Sequence, residues 1–480
     1  MGALKLAVTF FVALIVGLLL NSDLITSSSF LCTLFRILMF YSLSFFLIYW
    51  IHRKVRYYLP SAYILFLFFV IPIIAIPGTQ MFMKILHEYR GTHINVLNAM
   101  DIWAQGAFYI MLGIFTVHIV RDFLSKNDTK RLSLAGYPSW DWSKFRYLLI
   151  LLAGISLIFS TISILRLGYI PILKTGIERE RFTYIYTAGE WSFKLARLWL
   201  LVYLLALTKL LYNIQSSKKN WARKNFVLIF ILLVSFMFDA IYGDRFHLFI
   251  MLFFTIIMIN KHIGKIKMRY FLMLFIIGLA LSSTIFIIRG ADALIGKASI
   301  FERVMIPMFS EWREFAYIAE HYPSVHFLNG KTFSSVIAPI FPNIVWGAIG
   351  FNKYELLSES SAIYMQKLFG SYAGVRIGII GEGFINFGYI GVIWVSFITG
   401  LIFGTLESIF LRIQSFHVCE LILAFILGTL IFLPIAQTDA ISVILIFYSY
   451  FISLCILFFH KKEVISNPKR CFNNENISCK

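Results

Sequence analysis

Residues 226–260 read FVLIFILLVSFMFDAIYGDRFHLFIMLFFTIIMIN. Two apolar runs of helical length flank a minimal turn, Tyr242-Gly243-Asp244-Arg245. Glycine and aspartate favour turns, and a chain that turns so tightly between two such runs is a hairpin of membrane helices. The same alternation extends in both directions. Spans of about 20 mostly apolar residues suffice to cross a bilayer. Twelve candidates satisfy that rule: roughly 4–20, 31–50, 60–76, 100–120, 147–165, 192–213, 226–241, 246–260, 270–288, 387–411, 418–434 and 440–459.

Composition agrees. Of 480 residues, 59% are apolar and 14% charged, whereas soluble domains carry about 25% charged residues. Soluble, fibrous and disordered classes are excluded, and the expected class is an all-α polytopic membrane protein. Lys5 precedes the first run and no small-x-small cleavage site follows, so an uncleaved first helix is expected. Cys32, Cys419 and Cys455 lie in apolar segments, and Cys471 and Cys479 in a polar tail without CxxC spacing. No structural disulfide and no metal site follow from that distribution.

Basic residues set the expected orientation. One set of connections comprises the N-terminus, 51–59, 121–146, 214–225, 261–269, 412–417 and the tail after 460. It holds 24 of the 43 Lys and Arg and only five acids. The short connections of the other set hold 7. Both termini are therefore expected in the cytoplasm. The formal charge of +19 sits on the cytoplasmic face, where it reports topology and attraction to anionic lipid. Nothing in it calls for a nucleic acid.

The chain then divides into 1–288, a long outer loop 289–386, and 387–480. In the loop, Ala293 to His321 has an amphipathic stripe through Ile295, Ile300, Val304, Phe315 and Ile318. Residues 333–351, broken by Pro339 and Pro342, are too short to span and fit a re-entrant or surface-lying segment.

The outer connections collect arginines: Arg166, Arg179, Arg181, Arg245, Arg289, Arg303, Arg313 and Arg376. Guanidinium offers a rigid donor fork that matches phosphate, so such a set beside a membrane suits a lipid-linked pyrophosphate. The plainer alternative is ion pairing with neighbours such as Glu178, Glu180, Glu302, Glu311 and Glu314. Asp244 can cap the helix that follows it, while Arg245 in a first turn opposes the macrodipole and reads either as an anion site or as an arginine snorkelling to the interface. Arg376-Ile-Gly-Ile-Ile-Gly-Glu382-Gly-Phe-Ile-Asn386-Phe-Gly-Tyr-Ile-Gly391 places a carboxylate among glycines at the edge of a span. Glu382 there suits a general base on a sugar hydroxyl, or a cap within a small-residue packing face. Gly168-Tyr-Ile-Pro171 with Lys174 and the Glu178–Arg181 charges reads as a gate or as a solvated loop.

The long outer loop, the Gly243-Asp244-Arg245 turn, the Gly168–Pro171 segment with Arg181, and Glu382…Asn386-Phe387-Gly388…Gly391 together resemble the Wzy-type polymerases of O-antigen and oligosaccharide repeat units. The resemblance implies a GT-C-like glycosyltransferase of the bacterial inner membrane. It would join undecaprenyl-pyrophosphate-linked repeat units on the periplasmic side, moving the growing glycan to the non-reducing end of an incoming unit. It implies no cofactor and no metal, and a chain-length regulator and a flippase as partners. In that scheme Arg245, Arg289, Arg303, Arg313 and Arg376 bind the diphosphate, with Arg179 and Arg181 closing over the sugars. Glu382, or else Glu311 or Asp244, takes the acceptor proton. An O-antigen ligase shares the donor and differs in acceptor. A twelve-helix transporter or flippase is the alternative from another class, although charges within the spans are few: Arg36, Asp101, Lys194, Arg197, Asp239 and Glu407.

Overall fold

A computed structural model of the chain describes residues 28–53, 60–72, 96–124, 139–140, 142–171, 195–216, 225–242, 245–264, 315–319, 327–338, 343–350, 358–361, 377–413, 418–434 and 438–461, with single positions between 266 and 280, between 352 and 364, and at 436. The helices are α1 (Ser28–Arg53), α2 (Pro60–Pro72), α3 (Val96–Leu124), α4 (Trp142–Leu167), α5 (Trp199–Ser216), α6 (Phe226–Ile241), α7 (Arg245–His262), α8 (Lys331–Ser334), α9 (Asn343–Ala348), α10 (Gly378–Arg412), α11 (Val418–Leu430) and α12 (Thr438–Phe459). Among the described residues the strands are confined to a two-residue antiparallel bridge, β1 (Ser139–Trp140) with β2 (His460–Lys461).

The protein is a helical, membrane-embedded molecule. Among the described residues four stretches are long and apolar enough to cross a bilayer: Leu31–Ile51, Val96–Asp122, Lys144–Leu167 and Gly378–Arg412. Six more apolar helices, among them Trp199–Gln215 and Phe246–His262, are 10–17 residues long. Of the expected spans, 4–20 lies outside the described residues, and only scattered positions of 270–288 are described.

Ring and hydrogen-bond contacts fix the directions. α1 and α3 run parallel, with Arg36 on Asp101 near their starts and Trp50 against Phe115 toward their ends. α2 runs antiparallel to both. The Phe68 carbonyl accepts from the Tyr41 hydroxyl (3.0 Å) and the Trp103 indole (2.7 Å), while Ser61, at the start of α2, meets α10 near its end. α5 and α6 are antiparallel, with Trp199 stacked on Phe238 at 4.8 Å and Asn213 bonded to Asn225. α7 and α11 are also antiparallel, tied by Lys261 to Glu420 at 2.7 Å. Within each of these sets the helices therefore run parallel or antiparallel to their neighbours.

The tightest pairing is α3 against α10. A Cβ on Gly400 would stand 2.1 Å from the Ile110 carbonyl oxygen, and one on Gly113 would stand 2.5 Å from that of Phe397. Apolar side chains gain little from leaving lipid for protein, so close backbone approach through small residues supplies the packing energy.

Candidate functional site

The site is built on a break in α10. Gly388 has φ 64° and ψ −147°, a conformation that essentially only glycine adopts without strain. Residues 383 and 391 would lie about 12 Å apart along a straight helix. Instead a Cβ on Gly391 would come within 2.0 Å of the Gly383 carbonyl oxygen. The chain doubles back, leaving a ten-residue half-helix, 378–387, folded against the second half, 389–412. The sequence expectation began a span at 387, whereas the helix begins at Gly378. The reason is enclosure: residues Gly378 to Asn386 are all buried. Ile380 fills the space beside Gly106 of α3, and Phe315 lies between the half-helix and Trp103. The backbone amide of Ile379 donates to the Leu433 carbonyl at 2.9 Å.

Leu433 belongs to the irregular stretch between α11 and α12. α11 has 13 residues, about 20 Å of rise, which falls short of a hydrocarbon core of about 30 Å. Backbone that leaves helical form at membrane depth needs partners from protein. The half-helix supplies them.

Glu382 sits at the centre of this arrangement and is fully buried. One carboxylate oxygen accepts a hydrogen bond from the Ser361 hydroxyl, and the other accepts one from the Thr438 hydroxyl at 2.5 Å. The Thr438 backbone amide, in the first turn of α12, donates to both oxygens at 3.3 Å. A carboxylate at a helix N-terminus is favoured by the unpaired amides and the macrodipole. Glu382 therefore pins the half-helix to α12 and to the Ser361 segment.

Asn386 closes the far end of the half-helix. Its side-chain amide donates to the Thr332 hydroxyl (2.6 Å) and to the Glu382 carbonyl (2.8 Å), and its oxygen accepts from the Gly330 amide (2.9 Å). The amides of Leu328 and Asn329 donate to the carbonyls of Ile385 and Asn386, each at 3.1 Å. These bonds satisfy carbonyls that a helix end otherwise leaves open. The segment 327–332 of the long loop is thereby seated on the membrane-embedded half-helix. Farther along, the Trp346 indole donates to the Ala338 carbonyl at 2.9 Å across the interruption at Pro339 and Pro342.

Of the residues selected from sequence for chemistry, Glu382 and Arg166 are the ones whose side chains are described. Arg166 stands exposed in the last turn of α4, and Glu382 alone belongs to the half-helix. Arg245 opens α7, but its side chain lies outside the described residues, as do Asp244, Glu311, Arg179, Arg181, Arg289, Arg303, Arg313 and Arg376. Ser361, Thr438 and Thr332 escaped the sequence reading, because isolated hydroxyl residues carry no local pattern. Arg36 and Asp101 were visible as charges within spans, and the structure pairs them at 2.7 Å. At the opposite end of the bundle Glu407 accepts from the Ser61 amide at 2.7 Å and lies 2.8 Å from His118. Near it, Glu420 meets both Lys261 and His262. Among the described residues no three His, Cys, Asp or Glu side chains gather where they could hold a metal ion. Set against protein-family models, characterised proteins and solved structures, the chain matches none.

Proposed function

We propose that this protein is a GT-C-like membrane glycosyltransferase that joins lipid-linked oligosaccharide repeat units, an O-antigen polymerase of the bacterial inner membrane with both termini in the cytoplasm. One observation carries the reading. The motif on which the resemblance rests, Glu382 to Gly391, is the segment that folds into a re-entrant half-helix with a buried carboxylate, and the outer loop caps it. Catalysis on a lipid-borne substrate needs a polar, water-poor site beside the bilayer, and a buried carboxylate on a half-helix within the membrane supports that reading.

In this reading the arginines of the outer connections hold the diphosphate, with Arg245 at the start of α7 foremost. An acceptor hydroxyl displaces Ser361 and gives its proton to Glu382 as its oxygen attacks the anomeric carbon. The bond from that carbon to the phosphate oxygen breaks, and undecaprenyl diphosphate departs with the electron pair. Fixed donors facing the leaving oxygen supply about 3–4 kcal/mol each in other enzymes. The chain-length regulator and the flippase of the same pathway would be its partners.

The test is the length distribution of surface glycan in a deletion strain complemented with Glu382→Gln or Arg245→Ala. With protein levels in the membrane unchanged, each variant should give lipopolysaccharide capped by a single unit. A normal long-chain ladder from either removes that residue from the chemistry, and from both it removes the site. Loss of all capping in the deletion strain points to a ligase instead.

A transporter or flippase is the second reading. Half-helices facing an irregular stretch at membrane depth, such as 378–387 against 431–434, also form substrate sites in carriers. Its mark would be repeat units trapped on the cytoplasmic side in the deletion strain.

A further inference from the structure

The Arg36–Asp101 pair lies outside the machinery just described. Arg36 of α1 keeps 54% of its side chain exposed, while Asp101 of α3 is buried to 1%. Five residues separate Arg36 from Leu31, where the apolar stretch begins, so its Cα lies about 8 Å inside that boundary. A guanidinium at that depth reaches the phosphate layer of a bilayer by extending its side chain. Simple snorkelling would need no acid beneath it, yet Asp101 is there, and an ionisable side chain within a membrane span marks a functional site by default.

The carboxylate is only half engaged. Its Oδ2 takes both the Arg36 contact and a hydrogen bond from Gln105 at 3.2 Å. Its Oδ1 is buried and has no hydrogen-bond partner among the described residues. Arg36, for its part, meets Asp101 with one of its guanidinium nitrogens. A fixed cation with spare donors thus stands beside a spare buried acceptor. The pair also adjoins the break in α10, since the Tyr389 hydroxyl bonds to Asn98, one turn before Asp101. Phe35 and Met39 beside Arg36, and Ile390 beside Tyr389, expose apolar surface to either side.

We propose that Arg36 and Asp101 form a docking site for the headgroup of a polyprenyl diphosphate that carries sugar. Phosphate lies on the Arg36 guanidinium, a sugar hydroxyl donates to Asp101 Oδ1, and the prenyl chain follows the apolar surface of α1. This rests on the polymerase reading and assigns it a substrate-binding position on the lipid-facing side of α1 and α3. Phosphate-bearing lipid of any kind shares part of this chemistry, and the sugar hydroxyl distinguishes the two.

The full-length protein in detergent would be examined by native mass spectrometry with three probes: undecaprenyl diphosphate bearing N-acetylglucosamine, bare undecaprenyl diphosphate, and dioleoyl phosphatidylglycerol. The wild type should retain them in that order. Arg36→Gln should weaken both polyprenyl probes about tenfold or more, the effect of losing hydrogen bonds to a charged group. Arg36→Lys, which keeps the ion pair, should weaken them less. Asp101→Asn should abolish the preference for the sugar-bearing probe. Unchanged melting temperatures of the two Arg36 variants show that the fold is intact. Equal retention by wild type and Arg36→Gln overturns the site, and so does failure of the wild type to retain either polyprenyl probe. Equal retention of phosphatidylglycerol reduces it to a general anionic-lipid contact and overturns the sugar assignment. Because binding is read here without turnover, a long-chain glycan ladder in the deletion strain would sink the polymerase reading separately.

Discussion

Glu407 shows how much a single intramembrane carboxylate can hold together. It is fully buried in α10, accepts the Ser61 amide at the start of α2, and lies 2.8 Å from His118 of α3. Those amides at the start of a helix need an acceptor, and the low dielectric makes an unmet one costly. Glu407→Ala should destabilise the protein by about 3–5 kcal/mol, because it leaves buried partners without compensation. Glu407→Gln keeps an acceptor oxygen and should cost about 1–3 kcal/mol. Unfolding in mixed micelles at rising SDS fraction measures both, and equal small losses would show that the cluster contributes little. Glu382 is bonded similarly at the other end of the bundle, to Ser361 and Thr438. Its loss should therefore affect both stability and glycan length, and Glu382→Gln is the substitution that separates them.

The half-helix 378–387 and the seam between α3 and α10 depend on the absence of side chains at chosen positions. Gly400 lies where a Cβ would meet the Ile110 carbonyl oxygen at 2.1 Å, whereas Gly154 in α4 has nothing within 4 Å of its Cβ position. Gly400→Ala forces α3 and α10 apart and should cost about 1–3 kcal/mol, as overpacking does. Gly154→Ala should be neutral or stabilising by up to about 1 kcal/mol through helix propensity. The same micelle unfolding compares them, and a similar response from both variants would mean that the seam is not closely packed. At this scale the sequence displayed the glycines, and a small-residue packing face was one of the readings of Gly378–Gly391. It did not display the reversal at Gly388. A periodic apolar run looks alike whether it continues straight or folds back, and only the contacts of 383 with 391 separate the two cases.

At the scale of the whole molecule, the sequence assigns the connections to a strongly basic and a weakly basic group in alternation. If the weakly basic group faces outward, Ser334→Cys in α8 should react with a membrane-impermeant maleimide on intact cells in a background lacking other cysteines. Ser133→Cys, in the connection 121–146, should react only after the inner membrane is permeabilised. The reverse pattern would invert the orientation and place the half-helix and its loop in the cytoplasm.

Membrane embedding and helical class were legible in the sequence. Apolar run length acts locally and does not depend on which helix neighbours which. Glu382 was also legible, since a carboxylate among glycines at a span's edge is conspicuous by itself. The tertiary structure alone joined Glu382 to Ser361 and Thr438, seated the 327–332 segment on Asn386, set Arg36 beside Asp101, and doubled the chain back at Gly388. Those partners are far apart along the chain and of common residue types, so their pairing is chosen by helix packing and by the demand that buried polar groups find one another, neither of which leaves a local trace.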